Sequence, residues 1–167
     1  RLNALREKLL IERSKRVRPG RDDKVLADWN GLMIYGLIQA SDAFNRVDWQ
    51  AAAVKAFWFI ADTMGTDGQL AHTWRQGKIG VPGIADDYAN MTRAALALYE
   101  VTGHPPYLEK AVAWAKTLND QFWRTDIGGY TLTAADSEKL IVRVRTVMDG
   151  ATPSVNGIMM HVLPRLH

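Results

Sequence analysis

The pattern of apolar and polar residues predicts a mainly helical chain, because apolar positions recur at the three- and four-residue spacing of helix faces. The predicted helices cover residues 1–16, 23–44, 48–64, 86–101, 105–123 and 154 onward. Those at 23–44 and 86–101 are apolar nearly all round, so we expect them to be buried on most sides. Those at 48–64 and 105–123 have one apolar face, so we expect them to cover the buried pair.

Two long stretches with turn-forming residues separate these helices. In the first, residues 70–75 and 78–81 alternate around a Gln-Gly turn and are predicted to form a small β-hairpin. In the second, residues 128–133 are predicted to pair with residues 140–145 in the same way.

The chain contains an internal repeat. Asp28 and Asp86 stand 58 positions apart, and residues that follow them match at the same offset. A local match also aligns Asn30 with Asn156, each of which is followed by Gly. The repeated unit is a buried helix, a short turn, an amphipathic helix and a long return loop. Helix pairs of this kind bury their apolar faces only by stacking on their neighbours.

The unit is longer than the roughly 34–47 residues of common helical solenoid repeats. Its length and the alternation of buried and amphipathic helices favour an inner ring of helices inside an outer ring. We therefore predict an all-α fold in the main: one domain, residues 1–167, forming a partial α/α toroid of about two and a half helical hairpins with small β-hairpins in the long loops. Such an arc exposes apolar inner-helix surface, so self-association is expected.

Composition narrows the classes of function. The net charge is +3, and the basic residues crowd into the first 24 positions. Acidic residues interrupt that run, which favours a solvated helix face over a nucleic-acid partner. The absence of Cys excludes disulfides, thiolate nucleophiles and Cys-based zinc sites within this chain.

The sequence also carries expectations about location and extent. No apolar run is long enough for a membrane span and no secretory signal is evident, so we expect no membrane partner and a cytoplasmic location. Because the chain starts at Arg and stops inside a predicted helix, we expect a piece of a longer protein.

The candidate chemistry lies where the predicted inner helices begin. Short inner-to-outer turns and long return loops bring those starts to one mouth, where carboxylates and amides suit sugar hydroxyls and aromatic rings suit sugar C–H faces. The candidate acid/base residues are Asp86, Asp87 and Asp149. The candidate substrate-binding residues, all polar or aromatic and near the same mouth, are Asp28, Asn30, His72, Trp74, Tyr88, Tyr130 and Asn156.

Structural roles are open for several of these residues. Asp28 and Asp86 stand where an acid caps a helix start, and Asp87 beside Asp86 is redundant for capping. Asp149, which precedes Gly, also fits a turn, and Ser154 fits an N-cap. His72 is a candidate general base.

The tryptophans and the ligand spacing add two expectations. Trp29, Trp58, Trp114 and Trp123 are predicted to lie in the core, whereas Trp74, in a Gly-rich loop, is predicted to be exposed. No metal-ligand spacing is apparent, so neither a metal nor another cofactor is predicted.

Four blocks of sequence resemble a known family. Residues 17–34 (VRPGRDDKVLADWNGLMI) resemble the signature of the YyaL/spermatogenesis-associated protein 20 family. The blocks ADDYA at 85–89, GGY at 128–130 and DGATPSVN at 149–156 resemble further blocks of that family in the same order. The resemblance implies a parent protein with an N-terminal thioredoxin-like domain, which is absent here, and a C-terminal six-hairpin, glycosidase-like α/α toroid.

The resemblance also implies candidate functions. Related toroids include sugar epimerases, which use His pairs that we cannot place here, and unsaturated glucuronyl hydrolases, which use Asp. The expectation is therefore a carbohydrate-active or carbohydrate-binding domain, similar to a glycoside hydrolase or a sugar epimerase if it is an enzyme. The alternative is a non-catalytic helical scaffold that binds a protein partner or the thioredoxin-like domain.

Overall fold

A computed structural model describes residues 2–138 and 140–167, and these are mainly helical, as the hydrophobic pattern predicted. The helices are α1 (Leu2–Ser14), α2 (Ala27–Phe44), α3 (Val47–Thr63), α4 (Ala85–Thr102), α5 (Pro105–Thr117), which continues into a π-helical turn (Leu118–Phe122), and α6 (Val155–Leu166). The short strands are β1 (Val25–Leu26), β2 (Gly65–Thr66), β3 (Gln69–Leu70), β4 (Thr73–Arg75), β5 (Lys78–Ile79), β6 (Trp123–Arg124) and β7 (Gly129–Tyr130).

The 58-residue repeat is present in the backbone. Helices α2 and α4 are both 18 residues long, and their first residues, 27 and 85, stand 58 positions apart. Each ends at a residue in the left-handed conformation, Asn45 (φ 52°) and Gly103 (φ 66°), again 58 positions apart. Gly and Asn are the residues that tolerate this conformation. The repeat therefore includes the turn that reverses the chain.

Helix α4 lies at the centre of the molecule. It packs against α2 on one side, α6 on the other and α5 behind. Twelve of its residues are buried, so the expectation that 86–101 is buried on most sides is confirmed. Behind it, Phe57 of α3 meets Tyr107 and Trp114 of α5 at ring-centroid distances of 5.1 and 5.8 Å. These rings close the core between the two amphipathic helices.

The three inner helices begin at the same end of the molecule. The backbone N–H of Asp28 in α2 donates to the Asp87 side chain in the first turn of α4. Asp86 of α4 and Val155 of α6 line one cavity. At the opposite end, Arg165 of α6 forms an ion pair with Glu100 of α4. Helices α2, α4 and α6 therefore run parallel, and α3 and α5 return behind them.

Helix α2 differs from its prediction in two respects. It begins at Ala27 rather than at residue 23, because β1 just before it pairs antiparallel with β4, and β4 pairs with β5. It also buries one face only, since Trp29 and Met33 are each 61% exposed. The prediction that this helix is buried on most sides is wrong, because α3 and α4 cover a single side of it.

The burial of the tryptophans differs in part from the prediction. Trp114 is buried and Trp58 is partly buried against the core, as expected. Trp29 and Trp123 are exposed, the latter by 43%, so their assignment to the core is wrong. Trp74, predicted to be exposed, is half-buried and meets the ring of Phe59 edge-on, with 5.2 Å between the centroids.

One predicted hairpin forms and the other does not. Strands β4 and β5 form the first hairpin. In place of the second, β7 pairs with β6, and no strand is present among residues 140–145. Within the predicted pair, Leu132 N–H donates to the carbonyl of Val144 at 2.8 Å. Next to it, the Asn156 side chain accepts from the N–H of Tyr130 at 2.8 Å and donates to its carbonyl at 3.0 Å. The amide thereby occupies the backbone groups through which another strand would pair.

Helix α1 stands apart from this core. None of its residues is buried, and its leucines are exposed to solvent. None of the helices in residues 2–138 and 140–167 combines the length and the apolar character that crossing a bilayer requires.

The close approach of α2 and α4 gives a test of this packing. A Cβ added at Gly31 would lie 2.8 Å from the carbonyl carbon of Asn90, so Gly31→Ala forces the two helices apart. We expect it to lower the free energy of unfolding by about 1–3 kcal/mol. At Gly36, on the same helix, nothing lies within 4 Å, so Gly36→Ala is expected to raise stability by about 0.5–1 kcal/mol. Urea denaturation of both variants measures the difference, and equal effects would contradict the packing.

Candidate functional site

The carboxylate of Asp87 joins three segments of the chain where α2 and α4 begin. Its side chain is 0% exposed. Oδ1 accepts from the N–H of Asp28 at 2.9 Å, and Oδ2 accepts from the N–H of Ile84 at 2.8 Å. Both oxygens lie 3.0 Å from Nδ1 of His72. One buried side chain thus holds the start of α2, the start of α4 and the loop that carries His72.

The geometry reverses the roles expected of the paired acids. Asp87 is the third residue of α4, and its bond to Ile84 N–H is the half of a capping box that reaches back to the residue before the helix. It also takes up an N–H of α2, which would otherwise lack a partner. Asp87, which seemed redundant for capping, caps both helices, whereas the side chain of Asp86 takes part in no hydrogen bond or ion pair of the described residues.

His72 is fixed from its backbone as well as from its ring. Its carbonyl accepts from Ala27 N–H at 3.0 Å, and its own N–H donates to the carbonyl of Val81 at 2.9 Å. The hydrogen bond to Asp87 raises the pKa of the imidazole, although burial acts in the opposite direction. The charged imidazolium is therefore favoured by its buried carboxylate partner.

Asp86 lies in different surroundings from Asp87. Its side chain is half-buried at the second position of α4. Burial, and after it the negative charges of Asp28 and Asp87, raise the pKa of Asp86 to about 6. It lines a cavity of about 220 Å³ together with residues of the second long loop and the start of α6, among them Leu132, Met148 and Pro153.

Asp28 completes the acidic group. It is 8% exposed, and its Oδ1 accepts from the N–H of Trp29 at 2.7 Å. Burial, followed by the charge of Asp87, raises the pKa of Asp28. Asp28, His72 and Asp87 each bring one potential metal-ligand atom within 4.8 Å of the others. The His72 and Asp87 atoms already bond to each other, so a cation would have to replace that hydrogen bond.

Two candidate stacking rings lie in the core instead of in the mouth. Tyr88 is 2% exposed, and its hydroxyl accepts from Leu70 N–H and donates to Gln69. Tyr130 is 3% exposed, and its hydroxyl donates to Asn119. Rings enclosed in this way offer no face to a ligand. Of the predicted rings, the half-buried Trp74 alone keeps surface.

The remaining candidates form hydrogen bonds with backbone groups. Asn30 is half-buried and donates to the carbonyl of Leu26 at 2.8 Å. Asn156 holds both backbone groups of Tyr130. Asp149 accepts from Ser154 N–H at 2.9 Å, which is the turn role left open by the sequence, and it is absent from the lining of the cavity at Asp86. The structure thus brings Asp28, His72, Asp86 and Asp87 together and leaves Asp149 at the start of α6.

Sequence reasoning identified Ser154 correctly as an N-cap, but it passed over Arg93. The Ser154 hydroxyl accepts from Gly157 N–H at 3.1 Å, which confirms the predicted N-cap. Arg93 is half-buried on α4 with its guanidinium carbon 4.4 Å from the ring centroid of Tyr35. The signal was present in the sequence, because Arg93 follows Asp86 by seven positions, two helical turns, in a mostly apolar helix.

A larger concavity elsewhere lacks this organisation. It measures about 510 Å³ and lies between the end of α1 and the loop that follows, lined by residues 13 and 16–21. All of these residues are exposed and none is acidic. We therefore place the candidate site at the starts of α2 and α4.

Because the Asp87 carboxylate joins three segments of the chain, which we call the Asp87 junction, we expect even an Asp-to-Asn substitution there to lower the stability of the fold strongly. Asp87→Asn replaces one acceptor oxygen with an NH₂ group that faces N–H donors, so at least one buried donor loses its partner. We expect the free energy of unfolding to fall by about 2–4 kcal/mol in urea denaturation. The control is Asp62→Asn, an exposed carboxylate on α3, with a change within about 0.5 kcal/mol. Similar values for the two variants would rule out the junction.

The raised pKa of Asp86 predicts a pH-dependent difference in stability. The folded chain holds the Asp86 proton up to about pH 6, whereas the unfolded chain loses it near 3.8, so wild-type stability falls as pH rises between those values. Asp86→Asn removes this contribution. We expect the variant to match wild type near pH 4 and to exceed it by about 1 kcal/mol at pH 7, a figure reduced for solvent screening. A difference that does not change with pH would contradict the assignment.

The chain has relatives among known proteins. No protein-family model matches it. It is 33% identical over 177 residues to spermatogenesis-associated protein 20 of mouse, an alignment that covers 99% of this chain and 22% of the relative. The human protein of the same name gives the same four figures. A Caenorhabditis elegans protein named only as uncharacterised is 30% identical over 174 residues, with 99% of this chain and 24% of that protein covered.

The alignments confirm the resemblance carried by the four sequence blocks. The chain spans about a quarter, or slightly less, of the length of these relatives. The alignments themselves extend over nearly the whole length of this chain. The chain therefore belongs, as the counterpart of part of these proteins, to the spermatogenesis-associated protein 20 family.

Proposed function

We propose that this chain forms an arc of an α/α toroid domain that binds and processes carbohydrate, with Asp86 as the proton donor. The observation that carries the proposal is the state of Asp86. It is a half-buried carboxyl group without a partner among the described residues, its pKa is raised to about 6, and it lines a cavity where helix starts converge. Structural acids are normally paired or fully solvated, whereas acids poised near neutral pH are typical of catalytic sites.

The arrangement of helices supports the toroid part of the proposal. Parallel α2, α4 and α6 stand side by side, and α3 and α5 return behind them. An inner row of parallel helices with an outer row behind it is one sector of a ring of helical hairpins. The long loops return to the end where Asp28 and Asp86 lie, so a completed ring would have these carboxylates at its mouth.

The proposed chemistry assigns different work to the clustered acids. A carboxyl group with a pKa near 6 is still partly protonated at neutral pH, so Asp86 donates a proton to the leaving oxygen of a glycosidic bond. Asp28, whose charge acts on Asp86, serves as the second carboxylate. Asp87 has no exposed surface and touches no substrate; it positions His72 and the helix starts.

Sugar contacts are assigned to rings that are accessible. Trp29 adjoins Asp28 in α2 and is 61% exposed, so it replaces the buried Tyr88 and Tyr130 as the stacking ring. Trp74 contributes its half-buried surface from β4. The 220 Å³ cavity is smaller than the roughly 300–1,000 Å³ of sites for drug-sized ligands, so it suits one sugar ring.

The test is a screen for sugar binding and turnover. Thermal shift and product analysis with neutral and acidic oligosaccharides are compared for wild type, Asp86→Asn and the exposed control Asp62→Asn. We expect Asp86→Asn to retain binding and to lose at least 100-fold in turnover. Wild-type turnover should fall as pH rises above about 6, because Asp86 then loses the proton it donates.

Two results would refute the proposal. One is the absence of a thermal shift with every sugar, and the other is equal turnover in Asp86→Asn and Asp62→Asn. Either result would favour the alternative of a non-catalytic scaffold that binds a protein partner.

A further inference from the structure

Helix α4 presents a single polar strip to the surface. From Ala85 to Leu98, every residue is buried except Asp86 and Arg93. Seven positions make two helical turns, so the two side chains leave the same face of the helix about 10 Å apart along its axis. An acid at the mouth is thus followed by a cation further along the same face.

Arg93 is bound by polar and aromatic neighbours but by no carboxylate in residues 2–138 and 140–167. Its guanidinium carbon lies 4.4 Å from the ring centroid of Tyr35, and Nη2 donates to Asn90 Oδ1 at 3.3 Å. Nε is buried, and no described residue offers it a hydrogen-bond partner. Other arginines of the chain do form ion pairs, namely Arg46, Arg75, Arg124 and Arg165.

This environment costs the cation free energy. Burial lowers the pKa of Arg93, which reflects lost hydration that no anion of the described part of the chain restores. The Tyr35 ring and one long hydrogen bond compensate only in part. A carboxylate brought to the guanidinium would supply both the missing charge and a planar pair of acceptors.

We infer that Arg93, with Tyr35 and Asn90, forms a subsite for the carboxylate of an acidic sugar. The inference rests on the proposed function, because it places the sugar along the face of α4 that Asp86 and Arg93 share. The ring of Tyr35 supports the guanidinium from α2, and Asn90 orients it from the preceding turn of α4. When a uronic-acid ring is bound at Arg93, the neighbouring ring of the same oligosaccharide lies at Asp86. The substrate class is therefore an oligouronide.

The experiment compares two ligands that differ only by the carboxylate. Methyl β-D-glucuronide and methyl β-D-glucoside are titrated by calorimetry into wild type, Arg93→Met and Arg46→Met, the last being a control that removes an exposed cation. We expect wild type to prefer the glucuronide and Arg93→Met to lose at least tenfold in glucuronide affinity. Glucoside affinity should be unchanged in both variants.

Each other outcome decides against a defined part of the inference. Equal glucuronide affinity in wild type and Arg93→Met overturns the subsite. Wild-type binding of the glucoside without preference for the glucuronide also overturns it and leaves the proposed function intact. If neither ligand binds, the subsite and the proposed carbohydrate function both fail.

A second variant keeps the test independent of folding. Arg93→Lys retains the positive charge and the stem that packs on Tyr35, but it cannot make a bidentate bond. We expect it to fold and to bind the glucuronide several-fold more weakly than wild type. Undiminished binding in Arg93→Lys would contradict the proposed planar recognition.

Discussion

The buried carboxylate of Asp87 is the contact on which the arrangement of the site depends. A buried charge is stable only when its oxygens are fully hydrogen-bonded, and here N–H groups from two helices and an imidazole meet that need. The two backbone donors are unpaired helix-start groups that also require an acceptor. Because each side satisfies the other, the starts of α2 and α4 and the His72 loop are held together as a unit.

The same junction accounts for the electrostatics of the mouth. Burial is the main cause of the raised pKa values of Asp28 and Asp86, and the negative charge of Asp87 adds to it in both. Asp87 itself has its imidazole and two N–H donors. Asp86 has no such donors among the described residues, and its carboxyl group holds its proton toward neutral pH. Adjacent residues of identical type thus acquire different roles, according to which of them receives the helix N–H groups.

Helix α4 carries this arrangement because it has neighbours on most sides. Its small residues and Gly31 of α2 allow close approach, with the Asn90 backbone against the glycine. With so much of α4 buried, a charged residue on it must either be paired or reach the remaining surface. Asp87 is paired, whereas Asp86 and Arg93 reach the surface, and this is why both of the latter are candidates for ligand contact.

The sequence by itself determined the helices, the 58-residue repeat, the cap at Ser154 and the family. These features are local or periodic, and residue spacing along the chain is enough to specify them. Sequence also placed Asp28, His72, Asp86 and Asp87 at one mouth, because parallel helix starts follow from long return loops. Periodicity cannot report how many neighbours a helix has, so α2 was predicted to be buried all round although two helices cover one side of it.

Only the tertiary structure decided the contacts between distant residues. Asp87 accepts from an N–H 59 positions earlier, and Asn156 occupies the edge of a strand 26 positions before it. Each such bond depends on how two elements are positioned relative to each other. The local sequence of either element does not specify that position. That is why the sequence identified the acids of the mouth, and the fold selected which of them is a structural anchor and which keeps a free carboxyl group.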